Sequence, residues 1–231
     1  MRCMRCLSAF VFLVGIVVSG GCETAPLHRG YRWYCRGAYG QAIETLTYYL
    51  EHSSDSDRNK EARAAGFFYR GLAKAEIGRI QDADADYREA LSRVPDFFYA
   101  SFNIGVGHIR LQQYDLALAM FRKAWNSISK AHRGELEDSL LWNRKVFSRD
   151  RAYCFLYYGM ALVMCEEIDE LGTLLKESNT LTFDVNKESV MREVFIRLHS
   201  RKLTSEEARL QVKTWLKNLE SGRGLGRLSG F

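Results

Sequence analysis

Six cysteines and five histidines are the side chains of this 231-residue chain best suited to chemistry. Cys154 and Cys165 stand eleven residues apart on what reads as one helix. At about 1.5 Å per residue they are roughly 16 Å apart, beyond the reach of a disulfide. Cys35 lies far away in sequence, and all three read as buried small apolar residues. His28, His52, His108, His132 and His199 are scattered. None stands at ligand spacing from Cys154 or Cys165, so no metal site is expected. None pairs with a serine, cysteine or carboxylate as a nucleophile–base couple would. Gly222, Gly224 and Gly226 follow a predicted helix rather than a strand, which excludes a phosphate-cradling loop. The charged stretch Asp82–Asp86 reads as a solvated helix face. These residues predict no catalytic centre and no cofactor.

Cys22 is different. Arg2 and Arg5 precede an apolar run, Leu7–Val18, of twelve residues, which is short for a membrane span and suited to a signal core. Ser19, Gly20, Gly21 and Cys22 follow. This end resembles a bacterial lipobox, with Gly21 in agreement and Ser19 in place of the usual leucine. The resemblance implies that residues 1–21 are a lipoprotein-type signal peptide and that Cys22 carries palmitate-like acyl chains as the first mature residue. A retained anchor helix and an ordinary cleavable signal are the alternatives. Each buried methylene is worth about 0.8 kcal/mol, so two or three chains suffice for a stable anchor. The expected location is the bacterial envelope, facing the periplasm, with inner and outer membrane both open. Cys3 and Cys6 leave with the leader. Loss of Arg2 and Arg5 takes the net charge from +5 to +3. That balance, with no basic stripe interleaved with stacking aromatics, predicts no nucleic-acid partner.

The elements that must carry any surface are announced by a period. Gly71, Ala83, Tyr87 and Ala90 recur 34 residues later as Gly105, Ala117, Phe121 and Ala124. A fixed spacing of this length, built on small residues and one aromatic, marks a helical-repeat array. Small residues let two helices of a hairpin approach closely. Tyr87 and Phe121 are expected to fill the gap between neighbouring hairpins, and Pro95 to end one hairpin and begin the next. Only two prolines and little alternating pattern point to an all-α chain.

The pattern resembles the tetratricopeptide repeat, a 34-residue helix–turn–helix unit. Two copies match, Ala64–Phe97 and Phe98–Ala131, with Phe67, Gly71, Gly78, Ala83, Tyr87, Ala90 and Pro95 in the first and Ile104, Gly105, Tyr114, Ala117, Phe121 and Ala124 in the second. Arg70, Lys74, His108 and Ser129 depart from the family's preferences. A weaker copy upstream holds Gly30, Gly37, Tyr39, Ala42 and Leu46, set back by 41 residues across a Ser/Asp-rich loop, His52–Lys60. A degenerate fourth copy starts near Ala152, with Gly159 at the helix-crossing position. The resemblance therefore implies an α-solenoid of antiparallel hairpins: three repeats over 22–131, a helical insertion over 132–151, the fourth repeat over 152–180, capping helices over 181–220 and a flexible tail over 221–231. The predicted helices are Leu27–Arg36, Tyr39–Glu51, Asn59–Ile77, Gln81–Ser92, Phe97–Leu111, Tyr114–Lys130, Glu135–Val146, Arg151–Glu166, Ile168–Ser178, Asn186–Ser200 and Ser205–Leu219. Thr204 and Glu207 have the spacing of a capping box.

By family position the first helix of each repeat lines an inner groove. Here that face is Phe68, Leu72, Tyr99, Phe102, Asn103, Val106, Tyr153, Tyr157 and Met160. The resemblance implies a groove for an apolar helix or extended peptide. Only Asn103 matches the clamp that some relatives use for an acidic C-terminus, so that ligand is not expected. The functional expectation is a membrane-anchored, non-enzymatic adaptor that docks another envelope protein or peptide. Families of this layout serve pilus or secretin assembly, outer-membrane protein assembly or control of cell-wall enzymes. An envelope enzyme with an unrecognised site and a self-associating structural protein are the alternatives.

Overall fold

The computed structural model describes residues 25–56, 59–133, 147–178 and 188–220. Cys22 with the leader, the helix expected over Glu135–Val146, and the tail from Ser221 lie outside the described residues. Among those residues every long element is an α-helix. In order they are α1 (Ala25–Cys35), α2 (Tyr39–His52), α3 (Lys60–Glu76), α4 (Ile80–Arg93), α5 (Phe98–Arg110), α6 (Tyr114–His132), α7 (Phe147–Cys165), α8 (Ile168–Glu177), α9 (Glu188–His199) and α10 (Ser205–Glu220). The all-α expectation holds, and most ends fall within two residues of those read from the sequence. The exception is α7, which begins four residues early. Residues 147–151, expected in the insertion, therefore belong to a hairpin helix.

Consecutive helices pair because each turn is closed in the same way. One residue per turn takes a left-handed conformation: Gly37 (φ 75°), Gly78 (φ 83°), Gln112 (φ 58°) and Glu166 (φ 63°). The next N–H then donates to the carbonyl five residues back. The four bonds are Ala38 to Trp33 (3.0 Å), Arg79 to Lys74 (2.9 Å), Gln113 to His108 (2.9 Å) and Glu167 to Leu162 (3.0 Å). This 6→1 bond is the Schellman closure, which satisfies a helix-end carbonyl and reverses the chain. Each turn residue stands seven positions after Gly30, Gly71, Gly105 or Gly159. Arg201 (φ 57°) and the bond from Lys202 to Arg197 (2.8 Å) join α9 to α10 likewise. The C-terminal pair, expected as a cap, is thus a further hairpin with the same turn. Its last helix opens on a formed capping box: the Thr204 N–H donates to Glu207 Oε2 (2.9 Å) and the Glu207 N–H to Thr204 Oγ1 (3.3 Å).

The chain divides into two compact units, the boundary falling inside α5 after Ile104. The first holds the residues described from Ala25 to Ile104, with 130–133; the second holds Gly105–Ser129 and the residues described from Phe147 onward. In the first unit α3 packs on both α1 and α2 as well as on α4. The seams need their small residues. A Cβ on Gly30 would stand 2.4 Å from Leu46 Cγ, and one on Gly66 2.9 Å from the Tyr49 ring. One on Gly71 would meet the Tyr87 ring at 2.7 Å and the Ala83 carbonyl oxygen at 3.2 Å. Ala83, Tyr87 and Ala90 are buried, while Pro95 sits exposed in the turn after α4. The Tyr87 ring reaches Gly71 and Phe68 of its own hairpin, so it packs inside that hairpin.

In the second unit Gly105 faces Phe121 at 2.7 Å, and Ala117, Phe121 and Ala124 are fully buried. Phe121 also meets the Tyr157 ring of α7 (5.9 Å), which is the bridging role expected of it. Further on, the seam changes partner. Gly159 is matched by Phe195 of α9, a hypothetical Cβ lying 2.4 Å from the ring, and Gly172 by His199. The crossing position of the fourth copy is therefore filled from the C-terminal hairpin, and α7 packs on α8, α9 and α10 together.

Candidate functional site

The inner-face residues were chosen because the first helix of each repeat should present them to a partner. Phe68, Leu72, Tyr99, Phe102, Tyr153 and Tyr157 are instead core, none more than 9 % exposed, and Met160 is fully buried. Phe68 stands among Tyr69, Tyr87, Phe97 and Tyr99, with ring centroids 5.0 to 6.1 Å away. Phe98 adds contacts to Tyr99 (5.0 Å) and Phe102 (5.7 Å). A cluster of this kind gains its stability by leaving water, at about 1.5–3 kcal/mol per large side chain. Burial has pushed the Tyr157 hydroxyl up to about 12. Only Asn103 and Val106 of the predicted face are half-exposed. The Asn103 amide already donates to the Tyr99 carbonyl one turn back (2.8 Å), which removes the donor it was to offer a peptide.

The residues that departed from the repeat pattern explain one another. Asp86 is 3 % exposed, so it is not part of a solvated face. Its carboxylate accepts two bonds from Arg70, Nε to Oδ2 (2.9 Å) and Nη2 to Oδ1 (2.7 Å), and pairs with Lys74 Nζ at 2.7 Å. Arg70 also donates to Thr47 Oγ1 of α2 (3.2 Å). Asp82 and Asp84 remain on the surface with Arg79 and Arg88 (both 2.6 Å). The run Asp82–Asp86 is therefore solvated except at its last residue. A buried carboxylate demands such full pairing, because an uncompensated charge there is costly. Nearby, Arg63 is buried and donates to the Leu50 and Ser53 carbonyls (2.8 Å each), capping the end of α2.

The second unit has its own polar clamp. Arg122 of α6 forks onto Glu170 of α8 (2.8 and 3.1 Å), and the Tyr158 hydroxyl of α7 donates to the same carboxylate. The Arg122 bonds, joined by the Tyr158 bond, hold the Glu170 carboxyl below its ordinary value of 4.5. Trp125 Nε1 donates to Glu177 (2.7 Å). Neither network stands out in the sequence, since each joins residues 12 to 52 positions apart with no periodic signal.

The cysteines confirm their structural reading. Cys35, Cys154 and Cys165 are unpaired, and Cys154 is fully buried. Burial raises the Cys154 thiol well above its ordinary value, and burial with a hydrogen bond to Asp115 raises Cys165 to about 11. Both stay protonated near neutrality, which is unsuited to nucleophilic attack. Among the described residues no group of three or more His, Cys, Asp or Glu side chains could hold a metal. No described helix is long and apolar enough to cross a membrane.

With this geometry in place, the comparisons can be weighed. A solved structure titled "MamA RS-1 ArsTM double mutant", a tetratricopeptide-repeat protein, is similar to this chain with a TM-score of 0.51 and 16 % identity. The match covers 89 % of this chain and 98 % of that one. The likeness is one of fold. It agrees with hairpins closed by a repeated turn and seamed by glycine and alanine. No family model matches the chain, and no curated protein does.

Proposed function

We propose that this protein is a non-catalytic adaptor of the bacterial envelope, tethered by acyl chains on Cys22, whose helix hairpins dock another protein. The observation that carries the reading is the hairpin repeated with the same turn and the same seven-residue offset from its seam glycine. Stacked hairpins of this kind present extended surfaces whose composition can vary while the seams stay fixed. With Phe68, Tyr99 and Phe102 committed to the core, docking falls to exposed side chains. The large apolar ones include Ile77 at the α3–α4 turn, and Leu111 and Leu116 at the α5–α6 turn.

The test places a photo-crosslinking residue at Ile77, Leu111 or Leu116 in the native envelope, with buried Ala90 as the control. A discrete partner adduct at one of the exposed positions, absent at Ala90, is expected. Adducts at none of the three, together with cleavage of envelope material by the purified chain alone, would overturn the adaptor reading. The tether is tested separately. Cys22→Ser should abolish incorporation of a labelled fatty acid, and a variant that still incorporates it refutes Cys22 as the acylated residue.

A further inference from the structure

Arginines in the first unit fall into two groups. Every arginine from residue 59 to 104 is ion-paired: Arg63 and Arg93 with Asp55, Arg70 with Asp86, Arg79 with Asp82 and Arg88 with Asp84. The three that belong to α1 or directly follow it, Arg29, Arg32 and Arg36, are exposed and have no acidic partner among the described residues. The helix holds no acidic residue of its own.

Their placement on α1 is ordered. Leu27, Gly30 and Tyr31 are the buried positions, and Gly30 is pressed against Leu46. At 100° per residue, Arg29, Arg32 and Arg36 fall within about 60° of one another on the side opposite those three. They span about 10 Å of helix, close to the Debye length at physiological salt, so they act as one patch. Trp33 lies at the margin of the patch, half-buried, with the Arg36 guanidinium 5.5 Å from its ring. An indole beside guanidinium groups, one end apolar and the other wet, suits the headgroup level of a bilayer.

We infer that the Arg29–Arg32–Arg36 face of α1, with Trp33 at its edge, rests on an anionic phospholipid surface. The placement rests on the tether proposed above, since α1 begins three residues after Cys22. Acyl chains at that cysteine hold this helix, ahead of all others, within a few ångströms of the headgroups. Charge complementarity selects the lipid: three unpaired guanidinium groups with no internal counter-charge match phosphate diesters, which each accept a forked pair of hydrogen bonds. One acyl chain alone binds membranes marginally, and a basic patch is the second signal that makes attachment durable.

The experiment is vesicle flotation of the full chain carrying Cys22→Ser, so that no acyl chain contributes, on phosphatidylcholine vesicles and on vesicles enriched in phosphatidylglycerol. The apolar leader is common to every variant and cancels in the comparison. Each arginine near an anionic surface contributes roughly a fivefold factor, so Arg29→Gln with Arg32→Gln and Arg36→Gln should lower partition onto the anionic vesicles on the order of 100-fold. Partition onto neutral vesicles should not change. The matching triple lysine variant should retain the preference, and ionic strength near 1 M should erase it. Circular dichroism establishes that the glutamine variant keeps its helices. A folded glutamine variant that binds anionic vesicles like its parent overturns the inference, as does an equal loss on both vesicle types. Retained vesicle binding with loss of a cross-linked protein partner overturns it too, and assigns the face to protein docking. Failure of Cys22 to take a fatty-acid label would refute the tether alone and leave the flotation result readable.

Discussion

Replacing Gly105 with alanine should change the sign of its effect according to what stands at position 121. In the native chain a Cβ at Gly105 would lie 2.7, 2.8 and 2.9 Å from three atoms of the Phe121 ring, well inside the 3.4 Å at which ordinary contact begins. The ring is fully buried and touches Tyr157 on its far side, so it cannot withdraw into solvent. Overpacking of this kind costs about 1–3 kcal/mol. Against it stands the gain of about 1 kcal/mol from alanine over glycine within a helix. The net expectation is a loss of about 1 kcal/mol, or a melting temperature lower by roughly 2–4 °C for a chain of this size. Phe121→Ala alone should cost about 3–5 kcal/mol. In that background the obstruction is gone, only the helix preference remains, and Gly105→Ala should stabilise by about 1 kcal/mol. Gly40 supplies the internal control, because a Cβ there meets nothing within 4 Å, and Gly40→Ala should raise the melting temperature. Thermal melts of the four members of the cycle, followed by circular dichroism, read the coupling directly. If Gly105→Ala lowers the melting temperature equally in both backgrounds, or raises it in the native one, the seam argument is refuted.

Asp86→Asn should destabilise the first unit by about 3 kcal/mol, since it leaves Arg70 and Lys74 buried without their counter-charge, and a denaturant midpoint unchanged from the parent would contradict this. Gln112→Gly should stabilise by up to about 1 kcal/mol, because a side chain at φ 58° carries a left-handed penalty that glycine escapes; a lower melting temperature would show the turn to be held by the Gln112 side chain. The Arg122–Glu170 clamp should be acid-labile. Glu170 is depressed in the folded state, so its contribution is fully present above the ordinary glutamate value of 4.5 and is lost as pH falls below it. Glu170→Gln should flatten the decline of melting temperature over that acidic window, and a decline as steep as in the parent would remove the clamp from the account.

The parts of the fold that were legible are those carried by local spacing. Gly71 with Tyr87 and Gly105 with Phe121 lie sixteen residues apart in one hairpin, and a single chain segment specifies both sides of the contact. Gly159 shared the position but not the partner, because Phe195 reaches it from a hairpin outside the local pattern. Asp86 looked solvated for the same reason. Its own helix is polar and its neighbours Asp82 and Asp84 are exposed, so only the opposing Arg70 and Lys74 reveal that it faces inward. The inner-face aromatics show the converse error. Family position indicated which side of the helix Phe68, Tyr99 and Phe102 occupy, but how far Phe97 and Phe98 fill that side is a matter of packing volume.

The fixed seven-residue interval between each seam glycine and its turn stands beside the unequal intervals of 41, 34 and 54 that separate successive seam glycines. Everything inside a hairpin is dimensioned by one contact and one turn, so its length is rigid. All the slack in the chain is gathered at the joints between hairpins, where the excess lengths already occur. Such a molecule can be rewritten one hairpin at a time. A joint may be lengthened, or a foreign segment spliced into it, while the seams on either side keep their register, so the surfaces that meet partners can diverge faster than the frame that holds them.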